Sequence, residues 1–208
     1  MIKFDPLHYE KKAWNNRYKS IAGIDEAGRG PLAGPVVAAA VIFNKEYILN
    51  TYKSTYSNLT DSKKLSKKNR NLFYKILKDK KDVNIGIGIS SAKEIDKINI
   101  LQATHKAMHN AVKNLSTDFI LVDGLPVSGF FCNSENIING DLLSLSISAA
   151  SVIAKVTRDR IMNEESIKFP MYNFDKNKGY GTKEHLSALI KFGPSPIHRK
   201  TFKPIRNY

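Results

Sequence analysis

Four acidic residues in this sequence have the positions expected for ligands of a metal-dependent hydrolase. They are Asp25, Glu26, Asp123 and Asp141. The first two follow a short apolar stretch, the third follows another one and precedes a glycine, and the fourth follows Gly140 before a long helical pattern. Hard cations such as Mg²⁺ prefer oxygen ligands, and phosphodiester hydrolysis by two metal ions needs several carboxylates in one pocket.

Each carboxylate also has an ordinary structural explanation. An acidic residue after a strand can be part of a solvated turn, and Gly140-Asp141 before a helix is common N-cap chemistry. The Asp25-Glu26 pair is less easily explained in this way, because it ends an apolar strand beside glycine-rich turn residues. Neighbouring residues of a regular strand point to opposite faces, so we expect the pair to share a metal site only where the strand is ending.

The pattern of apolar residues predicts an α/β layered domain. Two apolar stretches, 20–24 and 36–43, flank a turn rich in Gly and Pro and predict a β-hairpin, with the second strand buried on both faces. Further strands are predicted at 83–89 and 118–122, and helices at 66–80, 100–115 and 146–164. A last helix is capped by Thr182 and ends near Gly193. The polar segment 46–60 is predicted to be a loop, and 125–139 has no assignable pattern.

The composition favours a folded protein that binds a polyanion. The chain has 208 residues, enough for one sizeable core, and its 42% hydrophobic content argues against disorder. Lysine and arginine outnumber aspartate and glutamate by 33 to 19, which gives a net charge of +14. A basic surface attracts polyanions, most commonly nucleic acid, although a lysine-rich composition alone would give the same excess.

We expect a cytoplasmic protein with no membrane association. Cys132 is the single cysteine, which excludes an internal disulfide and fits a reducing compartment. The N-terminal residues contain no apolar signal-peptide core. The longest uncharged run, 31–44, is shorter than the ~20 apolar residues that a membrane span needs.

A series of sequence blocks, in order along the chain, closely resembles bacterial ribonuclease HII. The first block, 24–37, reads IDEAGRGPLAGPVV. The others are 61–66 (DSKKLS), 122–124 (VDG), 140–141 (GD), 148–159 (SAASVIAKVTRD) and 179–185 (GYGTKEH). A lone Asp-Glu pair would be weak evidence, but the ordered series covers the chain from about residue 20 to 203.

The resemblance implies a ribonuclease H-like fold, in which a mixed β-sheet is flanked by helices and followed by a helical C-terminal region. In this chain that would be a single catalytic domain over 1–208, with the helical part from about residue 165. The resemblance also implies that the four carboxylates are the catalytic residues and that they bind Mg²⁺ or Mn²⁺. These are Asp25, Glu26, Asp123 and Asp141.

The resemblance further implies how the ribonucleotide is bound. Gly28-Arg29-Gly30 would sense the 2′-hydroxyl, and Tyr180 would pack on the neighbouring sugar. Glycines let a backbone approach the sugar closely, and the 2′-hydroxyl, both donor and acceptor, distinguishes RNA from DNA. A tight hairpin turn would need the same glycines, and an isolated Gly-Tyr-Gly is more often a turn.

Lys63 and Lys64, in the second block, could contact phosphates, because lysine is a flexible point charge. They could equally belong to a solvated helix start.

Other residues with chemical potential are interpreted as structural. His105 and His109 lie four apart on a predicted helix, but no third metal ligand is evident, so we interpret them as surface residues. Asp159 lies inside a predicted helix four residues after Lys155, and we interpret it as structural.

The sequence thus predicts an endonuclease that hydrolyses the RNA strand of RNA–DNA hybrids. It would also cut on the 5′ side of ribonucleotides in duplex DNA, leaving 5′-phosphate and 3′-hydroxyl ends. Its partner would be the hybrid or the ribonucleotide-containing duplex, bound by a monomer with no obligate protein partner. One alternative is a non-catalytic nucleic-acid-binding domain, which the carboxylates oppose because they would repel phosphates without a metal. Another is a different nuclease or integrase activity on a related fold.

Overall fold

The computed structural model describes residues 5–207, in which a mixed sheet lies between two layers of helices. The strands are β1 (Ile21–Ala27), β2 (Val36–Phe43), β3 (Val83–Ser90), β4 (Phe119–Asp123) and β5 (Asn133–Ile137). The helices are α1 (His8–Asn15), α2 (Lys45–Thr51), α3 (Lys67–Asp79), α4 (Ala92–Val112), α5 (Gly140–Leu143), α6 (Leu145–Lys168), α7 (Phe174–Asn177) and α8 (Lys183–Phe192). A π-helical turn spans Tyr52–Tyr56, and 3₁₀ turns span Pro170–Tyr172 and Ile205–Asn207. No helix of this described range is long and apolar enough to cross a membrane.

The five strands lie in the order β3-β2-β1-β4-β5. Strands β1 and β2 form the predicted hairpin, with Ile24 opposite Ala40, and β3 continues the antiparallel side. Strands β4 and β5 run parallel to β1 on its other side, where Ile24 lies beside Val122. The predicted fold class, a mixed sheet flanked by helices, is confirmed.

Strand β2 lies at the centre of the core, and its two faces belong to different apolar clusters. Its odd-numbered residues, such as Val41 and Phe43, pack in the cluster that includes helix α6. Its even-numbered residues, such as Ala40 and Ile42, pack in the cluster that includes helix α4. Because both faces are covered, the strand is apolar throughout instead of alternating.

Gly23 of β1 lets helix α6 begin almost in contact with the sheet. A Cβ atom at this position would lie 2.3 Å from the backbone carbon of Ser146 and 2.4 Å from the amide nitrogen of Ile147. Real Cβ atoms do not approach other atoms so closely, so only glycine fits here without moving the helix.

The buried carboxyl of Glu10, in α1, holds the same end of α6. Its Oε1 accepts hydrogen bonds from the amide of Ser146 at 2.9 Å and from the hydroxyls of Ser144 and Ser146 at 2.6 Å. A carboxyl group at a helix N-terminus satisfies free amides there and interacts favourably with the helix dipole. The sequence gives no hint of this contact, because Glu10 and Ser146 are far apart in the chain.

Most predicted elements are confirmed. Ser66 and Thr182 cap α3 and α8, since their hydroxyls accept hydrogen bonds from the amides of Asn69 at 3.2 Å and His185 at 3.3 Å. The predicted helix 100–115 is the second part of α4, which starts at Ala92 and passes through a kink at Asn99, where φ is 64°.

The prediction that 46–60 is a loop is wrong. This segment contains most of α2 and the π-helical turn, because Ile48 and Tyr56 are buried in the core cluster and the hydroxyls of Tyr47 and Tyr56 lie 3.0 Å apart. The unassigned segment 125–139 contains β5, whose polar sequence NSENI is mostly exposed at the edge of the sheet. Tertiary contacts override a weak local pattern in both segments.

The C-terminal helices pack on the glycine-rich turn between β1 and β2. Tyr172, Phe174 and Leu189 form an apolar cluster with Leu32 and Ala33 of that turn. The division into one catalytic domain over 1–208, with a helical part from about residue 165, stays a prediction.

Candidate active site

Three adjacent parallel strands end beside one another and bring three carboxylates together. Asp25 lies one residue beyond Ile24, the last β1 residue paired with β4, and Asp123 lies one residue beyond its partner Val122. Asp141 follows β5 after a short turn. Carboxylate oxygens of Asp25, Asp123 and Asp141 all lie within 4.8 Å of one another, close enough to share a cation.

Backbone amides orient two of these carboxylates. The amide of Gly140 donates to Asp123 Oδ1 at 2.7 Å, and the amide of Glu26 donates to Asp25 Oδ1 at 2.6 Å. Gly140 is closely packed, because a Cβ atom there would lie 2.7 Å from the end of the Ile147 side chain and 3.3 Å from Asp123 Oδ1.

Burial makes the charged forms of the three carboxyls unfavourable. It raises the pKa of Asp25 well above its usual range, and the charges of Glu26 and Asp123 raise it further. Burial, followed by the charges of Asp123 and Asp61, raises the pKa of Asp141 to about 6. Burial also raises the pKa of Asp123. Concentrated, buried negative charge of this kind is what a divalent cation would compensate, so the donor set fits such an ion.

Glu26 lies in the same region but outside this group of three. Strand β1 continues to Ala27, so strand alternation directs Glu26 to the side of the backbone opposite Asp25. Its Oε1 lies 3.4 Å from Arg29 Nη1 in an ion pair. Burial raises the pKa of Glu26, although Arg29 acts against this shift. The strand does not end at this pair, because β1 stays paired with β2 as far as Ala27, although its pairing with β4 stops at Ile24. That Glu26 shares the metal site stays a prediction.

A cleft of about 400 Å³ adjoins the carboxylates and collects most of the other predicted site residues. Tyr180 is 45% exposed and lies close beside the glycine turn, since a Cβ atom at Gly30 would be 3.9 Å from Tyr180 Cε1. The lining includes Asp25, Glu26, Gly28, Arg29, Gly30, Lys63, Ser151, Lys155 and Tyr180.

The two lysines of the DSKKLS block have different surroundings. Lys63 lines the cleft. Burial would lower the pKa of Lys63, but the charges of Asp61 and Asp25 outweigh it and hold the pKa above its usual value. Lys64 is exposed and does not line the cleft. Lys63 is therefore the member of the pair placed to meet a phosphate at the site.

Two buried arginines that the sequence analysis did not assign lie under the glycine turn. Arg158 Nε donates to the carbonyl of Pro35 at 3.0 Å, and its Nη2 donates to Ala33 at 3.1 Å. Gly28, with φ 98°, is needed because a Cβ atom would lie 2.0 Å from Arg158 Nε. Arg199 holds other carbonyls of the same turn. The sequence could have pointed to Arg158, because this residue belongs to the 148–159 block. Arg199 lies in none of the blocks, so no sequence pattern pointed to it.

The residues interpreted as structural have structural contacts. Asp159 accepts a hydrogen bond from Lys155 Nζ at 2.8 Å. His109 Nε2 lies 3.0 Å from the carbonyl oxygen of Ser128. Among residues 5–207, the three carboxylates are the only group of at least three His, Cys, Asp or Glu residues placed to share a metal ion.

A second cavity, which we call the basic groove, adjoins the cleft and shares Lys155 with it. Its volume is about 500 Å³, and it runs along α6 between α3 and the α7 region. Its charged lining residues are Lys67, Arg70, Lys155, Arg160, Lys176 and Lys178, with Asp159 and Asp175.

Comparison with known proteins gives a consistent result. The family model described as Ribonuclease HII matches residues 22–205. A ribonuclease HII of Rickettsia akari is 52% identical over 206 residues, which cover 97% of this chain and 99% of that protein. A ribonuclease HII of Acetivibrio thermocellus is 50% identical over 196 residues, covering 93% of this chain and 73% of that protein. The crystal structure of the ribonuclease H2 from Pyrococcus horikoshii OT3 matches with a TM-score of 0.73 at 25% identity, covering 90% of this chain and 96% of that one.

Proposed function

This chain belongs to the ribonuclease HII family and is a ribonuclease H hydrolase, and from that premise we propose its substrate and its cleavage site. It hydrolyses the RNA strand of RNA–DNA hybrids and cuts on the 5′ side of ribonucleotides embedded in duplex DNA. The products carry 5′-phosphate and 3′-hydroxyl ends. The observation that carries the proposal is the position of three clustered carboxylates beside a cleft formed by the glycine turn and Tyr180.

In this proposal Asp25, Glu26, Asp123 and Asp141 hold two divalent metal ions, Mg²⁺ or Mn²⁺. Such ions, when bound, activate an attacking water and stabilise the leaving oxygen. Backbone amides already position two of these carboxylates, Asp25 and Asp123, before substrate arrives. Glu26 would join the three clustered carboxylates by exchanging its contact with Arg29 for one with a cation.

The ribose is read by backbone and ring contacts in the cleft. Gly28, Arg29 and Gly30 offer backbone groups that can approach the 2′-hydroxyl, which both donates and accepts hydrogen bonds. Tyr180, exposed beside the turn, packs on the adjoining sugar. Lys63 contacts a phosphate near the carboxylates, because it is the cation of that pair that lines the cleft.

The test is cleavage of a labelled duplex that carries one ribonucleotide, with Mg²⁺, Mn²⁺ and a chelator in parallel. We expect one cut on the 5′ side of the ribonucleotide with either metal and none with the chelator. A polymerase should extend the 3′-hydroxyl end, and a ligase should accept the 5′-phosphate end once a matching 3′-hydroxyl is supplied. An all-DNA duplex cut equally well would favour a different nuclease activity. Steeply salt-dependent binding without cleavage would favour a non-catalytic domain.

The enzyme is further proposed to act as a cytoplasmic monomer with one catalytic domain over 1–208. A single cysteine, Cys132, fits a reducing compartment. The carboxylates and both walls of the cleft come from one chain, so a second copy has no residue to add. Light scattering after size exclusion should give the mass of one chain, and twice that mass would contradict the proposal.

A further inference from the structure

Two adjacent residues near the C-terminus, His198 and Arg199, are connected to two neighbouring walls of the cleft, one formed by the glycine turn and the other by Tyr180. Their segment runs beside the glycine turn and is held to it by backbone hydrogen bonds. The amide of Gly34 donates to the carbonyl of Ile197 at 2.8 Å, and the amide of Arg199 donates to the carbonyl of Leu32 at 2.9 Å. The segment is thus part of the structure on which the turn rests.

Arg199 holds the wall formed by the turn. Its Nε donates to the carbonyl of Gly34 at 3.0 Å, its Nη1 donates to Arg29 at 2.7 Å, and its Nη2 donates to Gly28. The side chain is fully buried, and no ion pair within residues 5–207 includes it. A guanidinium group presents its donors in a rigid planar fork, so the carbonyls on it are held in one fixed arrangement.

His198 holds the wall formed by Tyr180, through His185. The backbone amide of Ser195 donates to His198 Nδ1 at 2.8 Å, so this nitrogen carries no proton and a neutral ring has its proton on Nε2. That proton points to His185 Nε2, which lies 2.9 Å away. His185 then has its proton on Nδ1, 2.9 Å from the carbonyl oxygen of Tyr180. The hydrogen-bond partners therefore assign one set of tautomers, with every bond in the same direction.

Burial keeps this pair of histidines neutral. His185 is 0% exposed and His198 is 2% exposed, and both rings pack against Tyr172 and Phe174. Burial, followed by the charge of His185, lowers the pKa of His198 to about 4. Burial also lowers the pKa of His185. At neutral pH the directed chain of hydrogen bonds is therefore intact.

We propose that His198 and Arg199 are positioning residues that fix where Tyr180 lies relative to the turn 28–30 in the ribose cleft. This inference rests on the proposed function, in which those two walls contact the ribonucleotide and its neighbouring sugar. Because the two supporting residues are consecutive, both walls are held by the same point of the backbone. The position of Tyr180 relative to the turn is then fixed before the substrate binds, which lowers the cost of orienting the reacting sugar.

A double-mutant cycle tests the histidine support. His185→Leu removes the hydrogen bond to the carbonyl of Tyr180, and we expect about a tenfold lower kcat/KM on a duplex with one ribonucleotide. In a Tyr180→Ala background the same substitution should lower kcat/KM by less than about twofold, because the positioned ring is gone. His185→Asn, whose amide can still donate to that carbonyl, should recover part of the loss.

Arg199→Lys tests the other support, because lysine keeps the charge but cannot hold the three carbonyls. We expect about a tenfold loss of kcat/KM in the wild-type background. In a Gly30→Ala background, Arg199→Lys should lower kcat/KM little further. In a Tyr180→Ala background, Arg199→Lys should still lower kcat/KM by the full factor of about ten. Each support would then be coupled to its own wall.

Tyr172→Phe is the matched control. It removes a 2.6 Å hydrogen bond to the carbonyl of Gly193 in the same apolar cluster, away from both walls, so its effect should be the same with and without Tyr180→Ala. If His185→Leu lowered kcat/KM equally in both backgrounds, the histidines would be merely structural and the inference would be overturned. Wild-type cleavage by Tyr180→Ala would overturn this inference and the proposed role of Tyr180 together, and it would leave the carboxylate assignment standing.

Nitrogen NMR of the histidine side chains gives a measurement independent of cleavage. Near neutral pH we expect the proton of His198 on Nε2 and that of His185 on Nδ1. The reverse tautomers, or charged rings, would overturn the directed contact to Tyr180.

Discussion

The active-site cleft and the basic groove are neighbours with different electrostatic character, although Lys155 lines both. The cleft adjoins three carboxylates whose charged forms burial disfavours. The lining of the groove contains six cationic side chains and two carboxylates. Burial lowers the pKa of Lys178 there; the charge of Asp159 acts against this shift, and the charge of Lys67 acts with it.

This difference suits two demands that one polyanionic substrate makes. Cationic side chains can contact phosphates directly and contribute affinity without regard to sequence. Clustered carboxylates would repel the same phosphates unless a cation lies between them. We therefore expect substitutions in the cleft to affect mainly the chemical step, and substitutions in the groove to affect mainly binding.

The largest effect is expected in the cleft. Asp25→Asn should lower the cleavage rate of a duplex with one ribonucleotide by at least about a thousandfold, because it removes a central ligand of the carboxylate cluster. Binding of the same duplex, measured by fluorescence anisotropy, should change by less than about threefold, because the basic groove is untouched. Asp79→Asn, at the exposed end of α3, is the control and should behave like wild type. Cleavage by Asp25→Asn at the wild-type rate would contradict the role of the carboxylate cluster in the chemical step.

A smaller effect of the opposite kind is expected in the groove. Replacing Lys67 and Lys176 together by alanine should weaken duplex binding by about tenfold at moderate salt and reduce the slope of log K against log salt by about 2, one for each lost phosphate contact. The rate at saturating substrate should stay close to the wild-type value.

The control for the groove is Lys81→Ala with Lys113→Ala, which removes two exposed charges outside both cavities. If this pair reduced the salt slope as much as the groove variant, affinity would come from overall charge and the groove would have no special part in it.

The smallest effect concerns stability. At pH 7.5, Mn²⁺ should raise the melting temperature by about 5 °C, because it binds only the folded carboxylate cluster. The rise should disappear as the pH falls through about 6, where Asp141 takes up a proton that competes with the cation.

The metal-free protein should respond to pH in the other direction. Between pH 3.8 and about 6 the folded Asp141 binds more protons than the unfolded chain, so this carboxyl lowers stability as the pH rises through that window. Asp141→Asn should remove this carboxyl's share of the pH trend, to which Asp25 and Asp123 also contribute through their raised pKa values, and most of the Mn²⁺ effect. An unchanged Mn²⁺ effect in that variant would contradict the cluster as the binding site.

The parts of the site that the sequence predicted are those with a local signature. Asp25 and Asp123 each follow an apolar strand, and the parallel register of β1 and β4 then brings them side by side. Gly28 and Gly30 predict a turn simply because they are glycines. The hairpin was equally clear, because the two apolar stretches are long and separated by turn residues.

The parts that were missed depend on contacts between distant segments. Arg199 reaches the carbonyl of Gly28 across 171 positions of the chain, and no periodicity records a hydrogen bond to a backbone carbonyl. No sequence pattern connects His185 with His198, because only the fold brings the two rings together. Segment 46–60 resembles a loop in sequence, because most of its residues are polar. Its few apolar or aromatic residues include Ile48 and Tyr56, and both are buried.

The close approach at Gly23 has a consequence for any survey of this protein by random substitution. A side chain there would push the start of α6 away from β1, and with it the wall of the cleft that Ser151 forms. Position 23 should therefore tolerate replacement about as poorly as Asp25, although its own atoms face a helix backbone and not the cleft. A map of inactive variants would then outline the spacing of the scaffold as well as the residues that meet the substrate.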